Sequence, residues 1–251
     1  MQNKIVNFLS AKGGVGKSVI VANFGEILSE IGYRTAIIEA PSFSNQEIIL
    51  NALQGKKISL QSASAVKISQ NLTLVSPADG AGENSAKFAS ELKEAGIFDF
   101  ILIDAGLENL KSFTHVADHN VVLCANEPCA ISNTYALLKT LGASKKEVLF
   151  LLNFTASEED AVMIYENLKA VAQKNISELN FKLLGFVPFC KDVAECAHNR
   201  VLFNSHRPFS PATIALRQSV SRFLSKQGLE PIDMSAYRGV GGFLRKLSNL
   251  V

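Results

Sequence analysis

Net charge is nearly absent from this sequence. Charged residues make up 19% of its 251 positions and balance to a formal +2. That argues against a bulk electrostatic nucleic-acid binder and leaves room only for a local basic patch. Long apolar runs are missing too. No stretch approaches the ~18 apolar residues of a spanning helix. The run Ile5-Val6-Asn7-Phe8-Leu9, after Met1-Gln2-Asn3-Lys4, is too short for a secretory signal. The expected location is cytoplasmic, with attachment to a membrane surface only peripheral. Cysteine is scarce, and Cys124, Cys129, Cys190 and Cys196 form no C-x-x-C pair. This predicts reduced, buried thiols and speaks against a shared metal or cluster site. His115, His119, His198 and His206 show no ligand spacing and read as surface or satisfied core residues. Internal repeats and low-complexity tracts are also lacking.

What is present is an alternation of apolar strands and helical patterns. With 47% hydrophobic residues, the chain can bury a core of ordinary density in one α/β domain. Strands are expected at Ile5–Leu9, Thr35–Ala40, Leu72–Ser76, Phe98–Asp104, Asn120–Ala125, Val148–Asn153 and Leu183–Val187. Helical spacing marks Lys17–Ile31, ended by Gly32, and segments near 45–53, 84–95, 109–117, 130–141, 157–174 and 211–227. Continuous apolar strands such as Phe100-Ile101-Leu102-Ile103 fit a parallel sheet covered on both faces. The fold class is therefore α/β, a doubly wound, mostly parallel sheet of about seven or eight strands with helices on both faces. The acidic run Glu158-Glu159-Asp160 after Ser157 needs only N-capping and the helix dipole to explain it.

The first strand runs into Ser10-Ala11-Lys12-Gly13-Gly14-Val15-Gly16-Lys17-Ser18, and a helix begins at its end. The glycines let backbone N–H groups turn inward around phosphates, and the helix N-terminus adds partial positive charge. In such a loop Lys17 reaches the β- and γ-phosphates, and the Ser18 hydroxyl is a Mg²⁺ ligand. The strict pattern G-x-x-x-x-G-K-S/T fails at Ala11, whereas the variant K-G-G-x-G-K-S/T matches throughout. Lys12 adds more positive charge beside the phosphates than one nucleotide needs. Asp104, at the end of the strand Phe98–Asp104, fits the carboxylate that holds Mg²⁺ through water. ATP and Mg²⁺ are thus the expected cofactors.

The lysine-bearing loop resembles that of the MinD/ParA class, and the resemblance covers roughly residues 2–227. It implies an ATP-sandwich homodimer in which Lys12 crosses to the partner's nucleotide. It extends the nucleotide contacts over Lys12, Gly13, Gly14, Val15, Gly16, Lys17, Ser18, Val19 and Gly106, with Asn153 and Pro188 at adenine-contacting positions. Lys12, Lys17 and Glu39 are the residues it implies for catalysis. The pattern also breaks. The class ends its second strand in D-A-D, and here the sequence reads Glu39-Ala40-Pro41; Asp104-Ala105-Gly106-Leu107-Glu108 replaces D-x-x-A-G. Pro41 offers no acid, hydroxyl or backbone N–H, so nucleotide binding is expected to survive with slow or absent hydrolysis. Glu39 or Glu108 is the candidate substitute.

Residues 228–242 are rich in glycine and small residues, and the chain closes on Gly242-Phe243-Leu244-Arg245-Lys246-Leu247-Ser248-Asn249-Leu250-Val251. On a helical wheel Phe243, Leu244, Leu247, Leu250 and Val251 fall within an arc of about 120°, with Arg245 and Lys246 on the other side. That pattern describes an interfacial membrane helix and resembles the C-terminal targeting helix of MinD and FlhG. The domain reading is a P-loop ATPase over 1–227, a flexible linker over 228–241 and a membrane-binding helix over 242–251.

Asn126-Glu127-Pro128 with Tyr135–Lys139, and Pro208–Ala212, are similar to the flagellar FlhG branch. That branch carries an N-terminal D-Q-A-x-x-L-R segment acting on its GTPase partner, which residues 1–4 do not match. The expected partners are a second copy, an anionic membrane surface, and an FlhF-like GTPase or another polar-organiser protein. Alternatives are a division-site MinD-like ATPase, a DNA-partition ATPase, a metal-cofactor carrier and a pseudo-ATPase scaffold.

Overall fold

A computed structural model describes residues 3–40, 46–52, 56–60, 63–77, 83–108, 110–142, 146–176 and 179–237. Pro41, residues 238–241 of the expected linker, and the expected membrane helix 242–251 lie outside the described residues. The strands are β1 (Lys4–Ser10), β2 (Thr35–Glu39), β3 (Lys56–Leu60), β4 (Ala63–Lys67), β5 (Leu72–Pro77), β6 (Phe100–Asp104), β7 (His119–Ala125), β8 (Val148–Thr155) and β9 (Phe181–Pro188). They form one sheet in the order β3-β4-β5-β2-β6-β1-β7-β8-β9. All neighbours are parallel except β3 with β4 and β4 with β5.

The helices are α1 (Lys17–Glu30), α2 (Gln46–Ile49), α3 (Glu83–Ala95), α4 (Leu110–Val116), α5 (Pro128–Gly142), α6 (Glu158–Asn175), α7 (Lys191–His198), α8 (Phe203–His206) and α9 (Pro211–Lys226). α1 packs with α2, α8 and α9, while α3 packs with α4 and α5 with α6. The chain crosses from β1 to β2 through α1 in one direction along the sheet and returns from β5 to β9 through α3, α4, α5 and α6 in the other, so right-handed crossovers place these two groups on opposite faces. The expected doubly wound sheet is present, with the β3–β4 hairpin added at one edge, and α7 and α8 added after β9.

The core gathers where the two halves of the sheet meet. Every residue of β6 is buried, and edge-on ring contacts link Phe8 to Phe24 (5.3 Å) and Phe24 to Phe223 (5.6 Å). Those rings tie β1, α1 and α9 together, and each fully buried side chain stabilises the fold by about 1.5–3 kcal/mol. Two helix starts follow local rules. The Ser157 Oγ accepts from the Asp160 N–H at 3.2 Å at the head of α6. At α9 the Ser210 Oγ accepts from the Thr213 N–H at 3.2 Å, with Pro211 in the first turn.

Two expectations are corrected. Cys124 and Cys196 are buried, but Cys129 is exposed and Cys190 half-buried, because both stand at the starts of helices that face outward. Residues 228–237, expected as part of a flexible linker, instead lie along α9. The Ile232 N–H donates to Ser221 Oγ at 3.0 Å, Leu229 and Ile232 pack against the core, and Arg217 sits 5.0 Å over the Tyr237 ring.

His119 heads β7 with a ring nitrogen 2.9 Å from Gln227 Oε1 and its ring edge-on to Phe223. Burial holds its pKa below the ordinary histidine value, against upward pulls from Gln227 and Asp118. A depressed folded pKa means that its contribution is complete above about pH 6.5 and is lost as pH falls through the folded value. Urea midpoints should therefore drop more between about pH 7.5 and 5.5 in the wild type than in His119→Gln. Equal drops in both proteins would contradict this.

Candidate nucleotide site

Strand register brings the site together. β1 aligns Phe8 with Asp104 of β6, and β2 aligns Glu39 with the same Asp104. The C-terminal ends of these strands therefore deliver the glycine loop, Glu39 and Asp104 to one edge of the sheet, as open α/β sheets do at their binding crevices. The loop turns through left-handed residues, Gly14 at φ 80° and Gly16 at φ 82°, the latter capping α1. A Cβ on Gly13 or Gly14 would meet nothing within 4 Å, so their outer side is open. A Cβ on Gly16 would lie 2.5 Å from Asn153 Nδ2. A cavity of about 520 Å³ is lined by Ser10 through Val19, Ile49 and Ala105 through Glu108. An open glycine cradle at the head of a 14-residue helix fits a chain of phosphates.

Inside the cavity Lys17 Nζ is ion-paired to Asp104 Oδ1, and Asp104 is fully buried. The other carboxylate oxygen, Oδ2, accepts from Gln46 Nε2 at 2.9 Å. The same amide donates to the Ser18 carbonyl at 2.9 Å. Gln46, itself fully buried, thus joins the expected Mg²⁺ carboxylate to the residue bearing the expected Mg²⁺ hydroxyl. Its backbone N–H donates to Glu39 Oε1 at 3.1 Å, and Ser76 Oγ donates to Glu39 Oε2 at 3.4 Å. A hydroxyl and a carboxylate on adjoining elements are the hard oxygen donors that suit Mg²⁺ when phosphate and water complete its shell. Sequence reasoning did not find Gln46, because an isolated glutamine carries no pattern.

The structure does not gather every expected residue at one point. Lys12, at the outer lip, pairs with the Glu127 carboxylate between β7 and α5, with the two side chains 38% and 52% exposed. That hydrogen bond, ahead of the small opposing effect of burial, raises the lysine pKa. Val15 is buried beneath the loop. Asn153 is only 4% exposed; its Nδ2 donates to the Val15 carbonyl at 2.9 Å, and its Oδ1 accepts from the Phe154 N–H at 3.0 Å. Its amide braces the loop from behind. Pro188 ends β9 two strands away from β7. Val19 and Gly106 line the cavity. Among the described residues no cluster of three or more histidine, cysteine or acidic side chains could hold a metal by itself.

A strand, a lysine-bearing glycine loop, a helix and a buried carboxylate on the neighbouring strand define a P-loop nucleotide-binding domain. The sequence matches the CobQ/CobB/MinD/ParA nucleotide binding domain over residues 6–203, and the chain belongs to that family. It is 24% identical to the flagellum site-determining protein YlxH of Helicobacter pylori, over 97% of this chain and 89% of that protein. It is 21% identical to the antiactivator FleN of Pseudomonas aeruginosa, over 85% of this chain and 84% of that one. The fold superposes on the septum site-determining protein MinD of Pyrococcus horikoshii, solved with Mg-ADP. That match has a TM-score of 0.70 and 20% identity, and covers 90% of this chain and 97% of the other.

Proposed function

We propose that this chain binds ATP with Mg²⁺, dimerises across the nucleotide and acts as a membrane-associated spatial regulator of flagellar placement or number. The observation that carries the nucleotide reading is the open glycine loop with Lys17 and Asp104 paired at its floor. The flagellar assignment draws on the similarity to YlxH along nearly the whole chain. A division-site role is the alternative within the same class.

Ser18 and Asp104 would hold the metal, which supplies charge neutralisation between the β- and γ-phosphates. Lys17 exchanges its contact with Asp104 for the phosphates. Lys12 exchanges Glu127 for the nucleotide of a second copy, and its position at the outer lip, with one half-exposed partner, supports that reading. Glu39 is the acidic group nearest Asp104 in strand register, and its carboxylate already holds the start of α2. Hydrolysis is therefore slow. Replacing Pro41 with Asp should raise turnover by at least about tenfold, since a water-positioning group is worth about 10²–10⁴ in a tuned site. Phosphate release measured on both proteins decides this: a fast wild type, unchanged by the substitution, refutes the impaired switch.

Membrane residence rests on residues 242–251. Each cation near an anionic surface adds about 1 kcal/mol, so one copy binds weakly and two copies on a dimer gain avidity. Co-sedimentation with anionic vesicles in ATP, in ADP and without nucleotide tests it, comparing the full chain with a truncation after Tyr237. ATP-dependent pelleting lost on truncation is the expected result. Equal pelleting in all states would undo the switch.

A further inference from the structure

We infer that Gln46 is a positioning residue for a divalent cation: one buried side-chain amide sets the places of both Ser18 and Asp104. This rests on the reading of those two residues as the Mg²⁺ donors beside a bound nucleotide.

The carboxylate needs such a partner. An aspartate carboxylate turns about a broad, two-fold torsion, so burial alone does not fix where its oxygens point. In the nucleotide-free chain two side chains fix Asp104, Lys17 on Oδ1 and the Gln46 amide on Oδ2 at 2.9 Å. They part ways when phosphate arrives. Lys17 is the lysine that turns to the β- and γ-phosphates, and its departure opens Oδ1. Gln46 is the one other side chain bonded to that carboxylate among the described residues. It alone then keeps the carboxylate plane turned as it was, at a residue that is fully buried.

The same nitrogen also reaches the other donor residue. Gln46 Nε2 donates to the Ser18 carbonyl at 2.9 Å. The two hydrogens of one planar amide therefore bridge the first turn of α1 to the end of β6. Neither partner can shift without lengthening the bond to the other, so the residue carrying the hydroxyl and the carboxylate keep a fixed separation. Outer hydrogen-bond partners of this kind orient metal-holding groups, and losing one typically costs about 10- to 100-fold in metal affinity.

The amide is itself held rigidly. Gln46 is fully buried, and its backbone N–H donates to Glu39 Oε1 at 3.1 Å. Glu39 Oε2 accepts from Ser76 Oγ at 3.4 Å, which pins the head of α2 against β2 and β5. Residue type fits the task as well. A lysine here would set a second positive charge beside the cation, and a carboxylate would compete with Asp104 for it. A neutral donor orients Asp104 and does neither.

Titration calorimetry of the full chain with ADP, once in Mg²⁺ and once in EDTA, isolates the cation. Gln46→Met fills nearly the same space without the amide, and Gln46→Leu removes the amide with a different shape. Mg²⁺ should tighten ADP in the wild type. In both variants ADP affinity in EDTA should stay close to wild type, while the tightening by Mg²⁺ should shrink by at least about 10-fold. Retained binding in EDTA also reports a folded glycine loop. Tightening equal to wild type in both variants would overturn the inference. So would parallel losses in Mg²⁺ and EDTA, which mark Gln46 as a packing residue of the loop. A wild type whose ADP affinity ignores Mg²⁺ would bring down the metal reading instead, and one that binds no ADP the nucleotide reading beneath it.

Discussion

Replacing Lys17 with alanine should lower the stability of the nucleotide-free protein by about 3–5 kcal/mol, besides removing nucleotide affinity. Asp104 is fully buried, and Lys17 is the only cation paired with it among the described residues. Removing the ammonium leaves a buried carboxylate held by the Gln46 amide alone. Breaking a buried pair from one side costs far more than the pair itself contributes, because the remaining charge has lost its solvent and gained no counter-ion. The double variant Lys17→Ala with Asp104→Asn should recover most of the loss, since a neutral amide can still accept from Gln46. In thermal unfolding the single variant should fall by roughly 6–20 °C, at about 2–4 °C per kcal/mol for a domain of this size. Lys17→Ala as stable as wild type would show that Asp104 has another counter-charge. The point bears on interpretation, because loss of function in Lys17→Ala would otherwise be read as a pure binding defect.

How much of this was legible in the sequence follows from the range over which each feature is determined. The glycine loop is a local backbone requirement, so the order of residues 10–18 reveals it. The strands of the inner sheet are apolar along their length and stood out equally well. β3 and β4 did not, because Lys56-Lys57-Ile58-Ser59-Leu60 and Ala63-Ser64-Ala65-Val66-Lys67 are short and mix lysine and serine with small apolar residues. That composition is how edge strands avoid pairing with other chains. α7 escaped because Cys196 is its one buried residue.

Within the site, Lys17 and Asp104 were readable individually, since each sits in a motif. What joins them was not. Gln46 lies 58 residues from Asp104 in the chain, and Glu127 lies 115 from Lys12. Only the sheet order makes them neighbours. The positive φ of Phe154 depends on a bulge between β8 and β9 that no spacing of residues announces. The resemblance implies a base contact at Asn153, and the sheet order adds a hydrogen bond from that amide to the Val15 carbonyl of the loop.

The same long-range knot sets the second large effect. Gln46→Glu should destabilise the protein by at least about 3 kcal/mol near pH 8, while Gln46→Leu should cost about 1–3 kcal/mol at any pH. Leucine removes the donor to Asp104 Oδ2 and to the Ser18 carbonyl and leaves the buried carboxylate oxygen without that partner. Glutamate does this and adds a second carboxylate against Asp104, with Glu39 a third acid at the same strand ends. Lys17, on Oδ1 of Asp104, cannot neutralise all three. Like charges in a buried site raise the pKa of one of them, so the folded variant takes up a proton that the unfolded chain does not hold. With the folded value above the unfolded one of about 4.3, the penalty is absent below that pH and grows as pH rises toward the folded value. Once protonated, the introduced carboxyl also regains a donor for Asp104. Urea unfolding at pH 8 and near pH 5 should therefore show the glutamate variant recovering toward wild type on acidification while the leucine variant stays behind it, so that their order reverses. Parallel losses at both pH values would mean that Gln46 fills space beside Asp104 without supplying the hydrogen bond that orients it.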